Sequence, residues 1–181
     1  MKKLLFISAL AIGLSASAQK FFTKNGHTSF KASVEAFEAV EAENKSTTVV
    51  LNTKTGDIAS LLFVKAFHFE IALMEEHFNE NYMDSDKHPK ATFKGKIKDF
   101  DAKELGEDQK EYELDGTLTI RNKEKAVSTK IRISKKDGQI LVEVKFSVIP
   151  SEFDIEIPKI VESKIAERIL ISGKYGLKEK K

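Results

Sequence analysis

Residues 67–97 read FHFEIALMEEHFNENYMDSDKHPKATFKGKI, and this segment decides the fold. An apolar run ends at Phe69, after which apolar residues recur at helical spacing, at Ile71, Met74 and Phe78. Polar turn residues come next, and the segment ends in alternating apolar and polar residues. The segment therefore predicts a strand, a short helix, a turn and a second strand in direct succession.

Most of the remaining sequence alternates with the two-residue period of strands that are buried on one face. The clearest alternating runs cover residues 30–34, 114–120, 127–133 and 140–148. Residues 58–69 form a longer apolar run, which predicts a strand covered on both of its faces. These runs indicate a protein built mainly from antiparallel strands.

Short polar sequences and one proline mark where the runs end. Gly and Asp at residues 55–57 and 136–138 favour hairpin turns. Pro158 precedes apolar residues at helical spacing, which predicts a second short amphipathic helix that extends to Ile169. A last strand is then expected from Ile169 to Tyr175.

The pattern gives seven or eight antiparallel strands and two helical interruptions. A sheet of this size would expose two long edges, and closure into a barrel removes them. The predicted fold is therefore all-β, an eight-stranded antiparallel barrel with two short helices, whose interior is either filled or holds one small ligand. An outer-membrane barrel has apolar residues outside, but a polar face dense in Lys and Glu, no Trp and three Tyr disfavour it.

The N-terminus has the three parts of a secretory signal. Lys2 and Lys3 precede an apolar run at residues 4–14, and Ala16 and Ala18 supply the small residues of a cleavage site. We therefore expect residues 1–18 to be a signal peptide and residues 19–181 to form one domain. The expected location is the periplasm or the exterior of the cell, after cleavage near Ala18.

The charges exclude one large class of partner. Without Lys2 and Lys3, the 30 basic residues fall to 28 and match the 28 acidic ones. A neutral chain with interspersed signs lacks the basic footprint of a nucleic-acid-binding protein. With no Cys in the sequence, neither disulfides nor thiolate metal sites are available.

Carboxylates and histidines are concentrated in the 67–97 segment, which raises the question of a metal site. They are Glu75, Glu76, His77, Glu80, Asp84, Asp86 and His88. Their spacing matches neither H-E-x-x-H nor a calcium loop, so a solvated acidic helix face is the preferred interpretation and no metal is expected. The sequence also lacks a G-x-S-x-G elbow and a glycine-rich phosphate loop, and we predict that the protein is not an enzyme.

The order of these features resembles that of the YceI-like family. The resemblance covers nearly the whole expected domain, and its parts are individually weak but occur in the same order and spacing. The matching parts are Gly26–Phe30 (GHTSF), the strand, helix and turn of residues 67–97 with Pro89 and Phe93 at their end, Asp115–Ile120 (DGTLTI), and the strand of residues 146–153 with the helix and strand that follow it.

The resemblance implies an exported, lipocalin-like barrel whose interior binds a polyisoprenoid or another amphiphilic lipid. No cofactor is implied beyond a bound isoprenoid or quinone-like ligand, and neither nucleic acid nor stable membrane insertion is expected. A homodimer remains open. The predicted ligand-binding residues are Phe30, Phe63, Phe67, Phe69, Met74, Phe78, Phe93, Leu118, Ile131, Val142, Val144, Phe146 and Ile171.

Two alternatives to a lipid carrier remain at this point. The same apolar residues could fill the barrel completely, which would make it a solid interaction module. An exported enzyme without a known motif is the second alternative. The helix that contains Met74 and Phe78 is expected to lie over one mouth of the barrel, as a lid or as a fixed plug, with Met74 and Met83 as adaptable contacts.

Overall fold

The computed structural model describes residues 20–34 and 39–180. The predicted signal peptide at residues 1–18 lies outside the described residues. The strands are β1 (Lys20–Ser33), β2 (Glu41–Asn52), β3 (Asp57–Phe63), β4 (His68–Phe69), β5 (Lys90–Ile97), β6 (Lys110–Ile120), β7 (Lys123–Lys136), β8 (Gln139–Val148) and β9 (Ile165–Glu179). The helices are α1 (Ala72–His77), a π-helical turn at Phe78–Tyr82, α2 (Lys159–Glu162), and three short 3₁₀ turns at Val64–Ala66, Ala102–Glu104 and Pro150–Phe153.

Eight of the strands close into an antiparallel barrel. The neighbours run in the order β1-β9-β8-β7-β6-β5-β3-β2, and pairing of β1 with β2 completes the circle. The two-residue strand β4 pairs with β2 at Ala42 and Glu43, beyond the point where β3 ends. The predicted eight-stranded barrel with two short helices is confirmed.

Three of the hairpin turns use residues with positive φ, as tight turns between twisted strands require. Gly56 has φ of 76°, and Asp137 and Gly138 have φ of 49° and 74°. These two turns, at residues 55–57 and 136–138, are the ones predicted from Gly and Asp in the sequence. Between β6 and β7 the same geometry is adopted by Arg121 and Asn122, with φ of 47° and 60°.

One end of the barrel is packed solid. Its apolar cluster comprises Phe21, Val49, Leu51, Ile58, Ile97, Tyr112, Leu114, Ile131, Ile133, Ile140, Val142, Val144 and Leu177. Phe100, from the loop between β5 and β6, closes this end by packing edge-on against Tyr112, with ring centroids 5.5 Å apart. The packed end carries the hydrophobic core that a domain without disulfides needs.

Two sequence-based predictions about the elements were wrong in detail. Residues 58–69 were expected to be one strand, but a 3₁₀ turn at residues 64–66 divides them. The second helix ends at Glu162, and Ile165 already pairs with Ser33 of β1, so β9 begins before Ile169. Residues 165–169 form a strand and not a helix because isoleucine favours a pleated surface and the helical stretch is too short to be stable alone.

Candidate functional site

The end of the barrel opposite the packed cluster contains a cavity of about 450 Å³. Its walls come from inward-facing residues of the strands, and its cover comes from the α1 region and from the chain between β8 and β9. The lining residues are Thr28, Phe30, Ala32, Val40, Leu62, Val64, Phe67, Phe69, Met74, His77, Phe78, Tyr82, Met83, Ala91, Leu118, Ile120, Phe146, Val148, Pro150, Phe153, Ile155, Ile157, Val161, Lys164, Ile165, Ile169 and Ile171. The barrel is therefore solid at one end and hollow at the other.

The lining of this outer cavity is almost entirely hydrocarbon. Among the described lining residues, Thr28, His77, Tyr82 and Lys164 carry polar or charged groups. His77 and Lys164 are exposed and lie at the rim. The volume falls within the range of roughly 300–1,000 Å³ that is typical of small-molecule sites. The cavity is suited to an elongated apolar ligand with its polar end at the solvent.

Four phenylalanine rings form a cluster on one side of the outer cavity. Phe30 of β1, Phe67, Phe69 of β4 and Phe78 make five ring contacts with centroid separations of 5.2 to 5.7 Å. Such offset and edge-on pairs contribute about 0.5–1.5 kcal/mol each beyond the area that they bury. The cluster therefore anchors the helical segment to the barrel wall.

Polar contacts on the solvent side of the helical segment at residues 72–82 fix its orientation on the barrel. The carboxylate of Glu75 accepts a hydrogen bond from the Phe69 backbone N–H at 3.1 Å, and the Asn79 side chain donates to the Glu75 carbonyl at 3.0 Å. Lys65 pairs with Asp86 at 2.5 Å. The acidic residues of the segment thus hold it in place, and no group of three or more potential metal ligands occurs in the described part of the chain.

A narrower chamber of about 80 Å³ continues from the outer cavity toward the packed end. The two share Thr28, Leu62, Ala91, Leu118, Phe146 and Ile171 in their walls. The inner chamber is lined further down the same strands, by Phe93 of β5, Val144 of β8 and Tyr175 of β9. Because they share these lining residues, the outer cavity and the inner chamber are adjacent, and the two together are called the tunnel below.

Most of the thirteen predicted site residues lie on this tunnel. Phe30, Phe67, Phe69, Met74, Phe78, Leu118, Phe146 and Ile171 line the outer cavity. Phe93, Ile131 and Val144 line the inner chamber. Contact with a ligand stays a prediction for all of them.

Phe63 and Val142 do not lie among the residues that line the two spaces. Val142 has the predicted inward orientation but belongs to the packed cluster, deeper than the inner chamber. Phe63 is half exposed on the outer wall, where Lys90 lies 5.5 Å from its ring centroid. The turn at residues 64–66 changes the phase of alternation, so Phe63 faces outward while Phe67 and Phe69 face inward.

Sequence reasoning missed a part of the lining that comes from between β8 and β9. Phe153, Ile155, Ile157 and Val161 all face the outer cavity, and Phe153 is almost fully buried. Ile155 and Ile157 alternate with acidic residues, and this pattern could have predicted that the two isoleucines face the barrel interior. Leu62 and Val64 were also missed, because a continuous strand over residues 58–69 would place them on the face opposite Phe63, Phe67 and Phe69.

None of the helices in the described residues is long and apolar enough to cross a membrane.

An eight-stranded antiparallel barrel with one packed end and an apolar cavity at the other has the lipocalin-like fold. Within that fold class, a model of the YceI-like domain matches residues 11–175 of the sequence. The chain therefore belongs to the YceI-like family, as the order of its motifs predicted. No curated protein sequence matches it.

Solved structures share this fold at low sequence identity. A polyisoprenoid binding domain from Saccharophagus degradans, implicated in plant cell wall breakdown, has a TM-score of 0.74 and 10% identity, over 90% of this chain and 99% of that one. Burkholderia cenocepacia BcnA has a TM-score of 0.68 and 16% identity, over 83% and 94% of the two chains. The Campylobacter jejuni YCEI protein has a TM-score of 0.60 and 17% identity, over 80% and 87%.

Proposed function

We propose that this protein binds the hydrocarbon chain of a polyisoprenoid, or of a similar amphiphile such as a quinone, in its tunnel, and that it carries or sequesters that lipid as an exported protein. The observation that carries the proposal is the outer cavity of about 450 Å³, whose described lining is apolar except for Thr28, His77, Tyr82 and Lys164. The likeness in fold to a polyisoprenoid binding domain supports it. The proposed role is binding, without a catalytic step.

Burial of hydrocarbon supplies the affinity in this proposal. Each methylene removed from water contributes roughly 0.8 kcal/mol, so several isoprene units bind tightly without a specific polar contact. A preformed cavity adds to this, because little of the binding free energy is lost in ordering the site. The absence of a sharp binding motif in the sequence is consistent with such a mechanism.

The positions of the polar lining groups give the ligand a direction. Thr28 lies deep in the tunnel, but its hydroxyl is already paired with Thr47 at 2.8 Å and with Tyr175 at 3.1 Å. The exposed side chains of His77 and Lys164 lie at the rim. The polar end of the amphiphile is therefore expected at the rim, where it stays hydrated, and the hydrocarbon chain is expected to run inward.

A blocking substitution tests this function without removing core packing. Ala91 lines both the outer cavity and the inner chamber, and Ala91→Trp would fill the passage between them. The matched control is Ala59→Trp on the exposed outer face of β3. The proposal predicts at least about a tenfold loss of affinity for a long prenyl alcohol such as solanesol in Ala91→Trp, with an unchanged or raised melting temperature because the new side chain fills a cavity.

The control variant should bind solanesol like the wild type. Equal binding by Ala91→Trp and the wild type, with both proteins folded by circular dichroism, would show that the lipid does not occupy the tunnel. Failure of the wild type to bind any prenyl lipid or quinone would overturn the proposal altogether.

A further inference from the structure

Two aromatic rings lie flat against the wall of the inner chamber, and each rests on glycine. The ring of Tyr175 covers Gly26 and Gly173 on β1 and β9. A Cβ atom at Gly26 would come within 2.7 Å of Tyr175 Cδ1, and a Cβ at Gly173 would collide with the Tyr175 hydroxyl oxygen. Real Cβ atoms do not approach other atoms so closely, so the ring has this position only because both residues are glycine.

Phe93 has the same arrangement on the opposite side of the barrel. Gly95 and Gly116 are direct partners between β5 and β6. A Cβ at Gly95 would lie 2.6 Å from Phe93 Cε1, and a Cβ at Gly116 would collide with Phe93 Cζ. A larger side chain at either position would collide with this ring and also with a backbone carbonyl oxygen, that of Asp115 or that of Lys94, so the ring lies flat only where both residues are glycine.

The floor of the chamber presents hydrocarbon, while its wall also includes the hydroxyl side chains of Ser60, Thr92 and Thr129. Val49, Leu114 and Ile131 are almost fully buried and separate the chamber from the packed end. The Tyr175 hydroxyl is paired with Thr28, so it needs no partner from a ligand. The chamber therefore ends on a buried hydrocarbon floor, which limits how deep a chain can reach.

We infer that the inner chamber receives the terminal hydrocarbon of the bound lipid, and that the glycine-backed rings of Phe93 and Tyr175 set the chain length that the protein prefers. This inference rests on the proposed function, because it assumes a chain that runs inward from the rim. The inference goes further by assigning specificity to the two rings. The closer they lie to the barrel wall, the longer the hydrocarbon chain that the tunnel accommodates. Chains that reach the floor fill the chamber, and longer chains must leave isoprene units outside.

Gly173→Ala is the most selective test, because the contacts of the new methyl group are all with the Tyr175 side chain and none of the nearest three is with backbone. It would tilt Tyr175 into the chamber and shorten the tunnel. Phe93→Ala acts in the opposite direction by removing a ring and deepening the tunnel. The matched control is Gly176→Ala on the same strand, where a Cβ would meet its nearest atom at an ordinary 3.5 Å.

The measurement is the affinity of the delipidated full-length mature protein for farnesol, geranylgeraniol and solanesol, three prenyl alcohols of increasing length. Each methylene excluded from the chamber lowers affinity about fourfold. We expect Gly173→Ala to shift the preference toward the shorter alcohols by at least about tenfold, and Phe93→Ala to shift it toward the longer ones. Gly176→Ala should keep the wild-type order.

Each outcome has a separate meaning. The same length preference in the wild type, Gly173→Ala and Phe93→Ala would overturn the inference while the proposed function stands. If the wild type binds none of the three alcohols and no prenylated quinone either, the proposed function itself fails. Should Gly173→Ala not fold, Phe93→Ala still decides, since an unchanged preference in that variant contradicts the inference.

Discussion

The ring of Phe30 on β1 stacks on the ring of Phe78 in the π-helical turn, with centroids 5.3 Å apart and planes inclined by 28°. These two residues are far apart in sequence and belong to a barrel strand and to the segment that covers the cavity. Phe67 and Phe69 add edge-on and tilted contacts to the same pair of rings. The cover is thus attached to the barrel by aromatic packing, and the strength of that packing should control how long a ligand stays bound.

Removal of the Phe78 ring should loosen the cover. Phe→Ala substitutions in fully packed cores cost about 3–5 kcal/mol, and because Phe78 is only partly buried we expect Phe78→Ala to lower the free energy of unfolding by about 2–3 kcal/mol. Release of a bound prenyl lipid should become at least several times faster. Denaturant unfolding and a stopped-flow release assay measure the two effects.

Phe63→Ala is the matched control, because Phe63 is half exposed on the outer wall. Its cost should stay below about 1 kcal/mol, as for other surface positions, and the rate of release should not change. Equal release rates for the two variants would contradict the role assigned to the aromatic cluster.

Tyr175 should make the protein sensitive to alkaline pH. Burial raises the pKa of its hydroxyl above the ordinary value of 10.0, and the hydrogen bond with Thr28 partly opposes this effect. The folded state therefore keeps a proton that the unfolded state has lost. The stability from this group is fully present below pH 10 and is lost as the pH rises through the raised pKa of the folded protein.

The comparison is with Tyr175→Phe, which has no titrating hydroxyl at this position. Denaturant unfolding at increasing pH should show a steeper loss of stability above pH 10 for the wild type than for this variant. In a titration followed by phenolate absorbance, the wild type should show one tyrosine that ionises at a higher pH than the others, and Tyr175→Phe should lack it. Parallel stability curves for the two proteins would mean that the hydroxyl is not shielded inside the barrel.

The turn between β7 and β8 should depend on Gly138. This residue has φ of 74°, and a Cβ there would meet nothing within 4 Å, so Gly138→Ala tests backbone conformation alone. Left-handed backbone costs an L-residue about 1–2 kcal/mol, partly offset by the lower entropy of the unfolded alanine chain. We expect a net loss of about 1 kcal/mol in the free energy of unfolding.

Gly106→Ala provides the reference, since a Cβ at Gly106 also has open space but its φ is not positive. It should change the free energy of unfolding by less than about 0.5 kcal/mol. A loss of equal size in both variants would show that the positive φ at Gly138 carries no energetic cost for alanine.

The barrel and the inward-facing residues of most strands could be predicted, because alternation is a local property of the sequence. Leu114, Leu118 and Ile131 face inward as their spacing predicted. The opposite orientations of Phe63, which faces outward, and Phe67, which faces inward, could not be predicted in this way. It depends on one 3₁₀ turn, whose Val64 N–H donates to the Pro89 carbonyl at 2.9 Å, a contact with a residue just before β5 that is distant in sequence.

Whether the interior is hollow or filled was equally beyond the sequence pattern. The alternation of residues 91–97 places Phe93 and Gly95 on one inward face but does not show that Gly116 lies beside Gly95. That pairing lets the Phe93 ring lie flat and leaves space in the barrel. The inner chamber therefore depends on the register across strands, which a pattern within one strand does not show.

The most direct test of a lipid-filled tunnel is organic extraction of the protein purified from its native host, followed by mass spectrometry of the extract. The account predicts a prenyl lipid, quinone or similar amphiphile in stoichiometric amount from the wild type, and its loss from Ala91→Trp, which blocks the tunnel at the junction of the two spaces. A wild-type protein without such a lipid, whose melting temperature also fails to rise with added prenyl lipids or quinones, would contradict it.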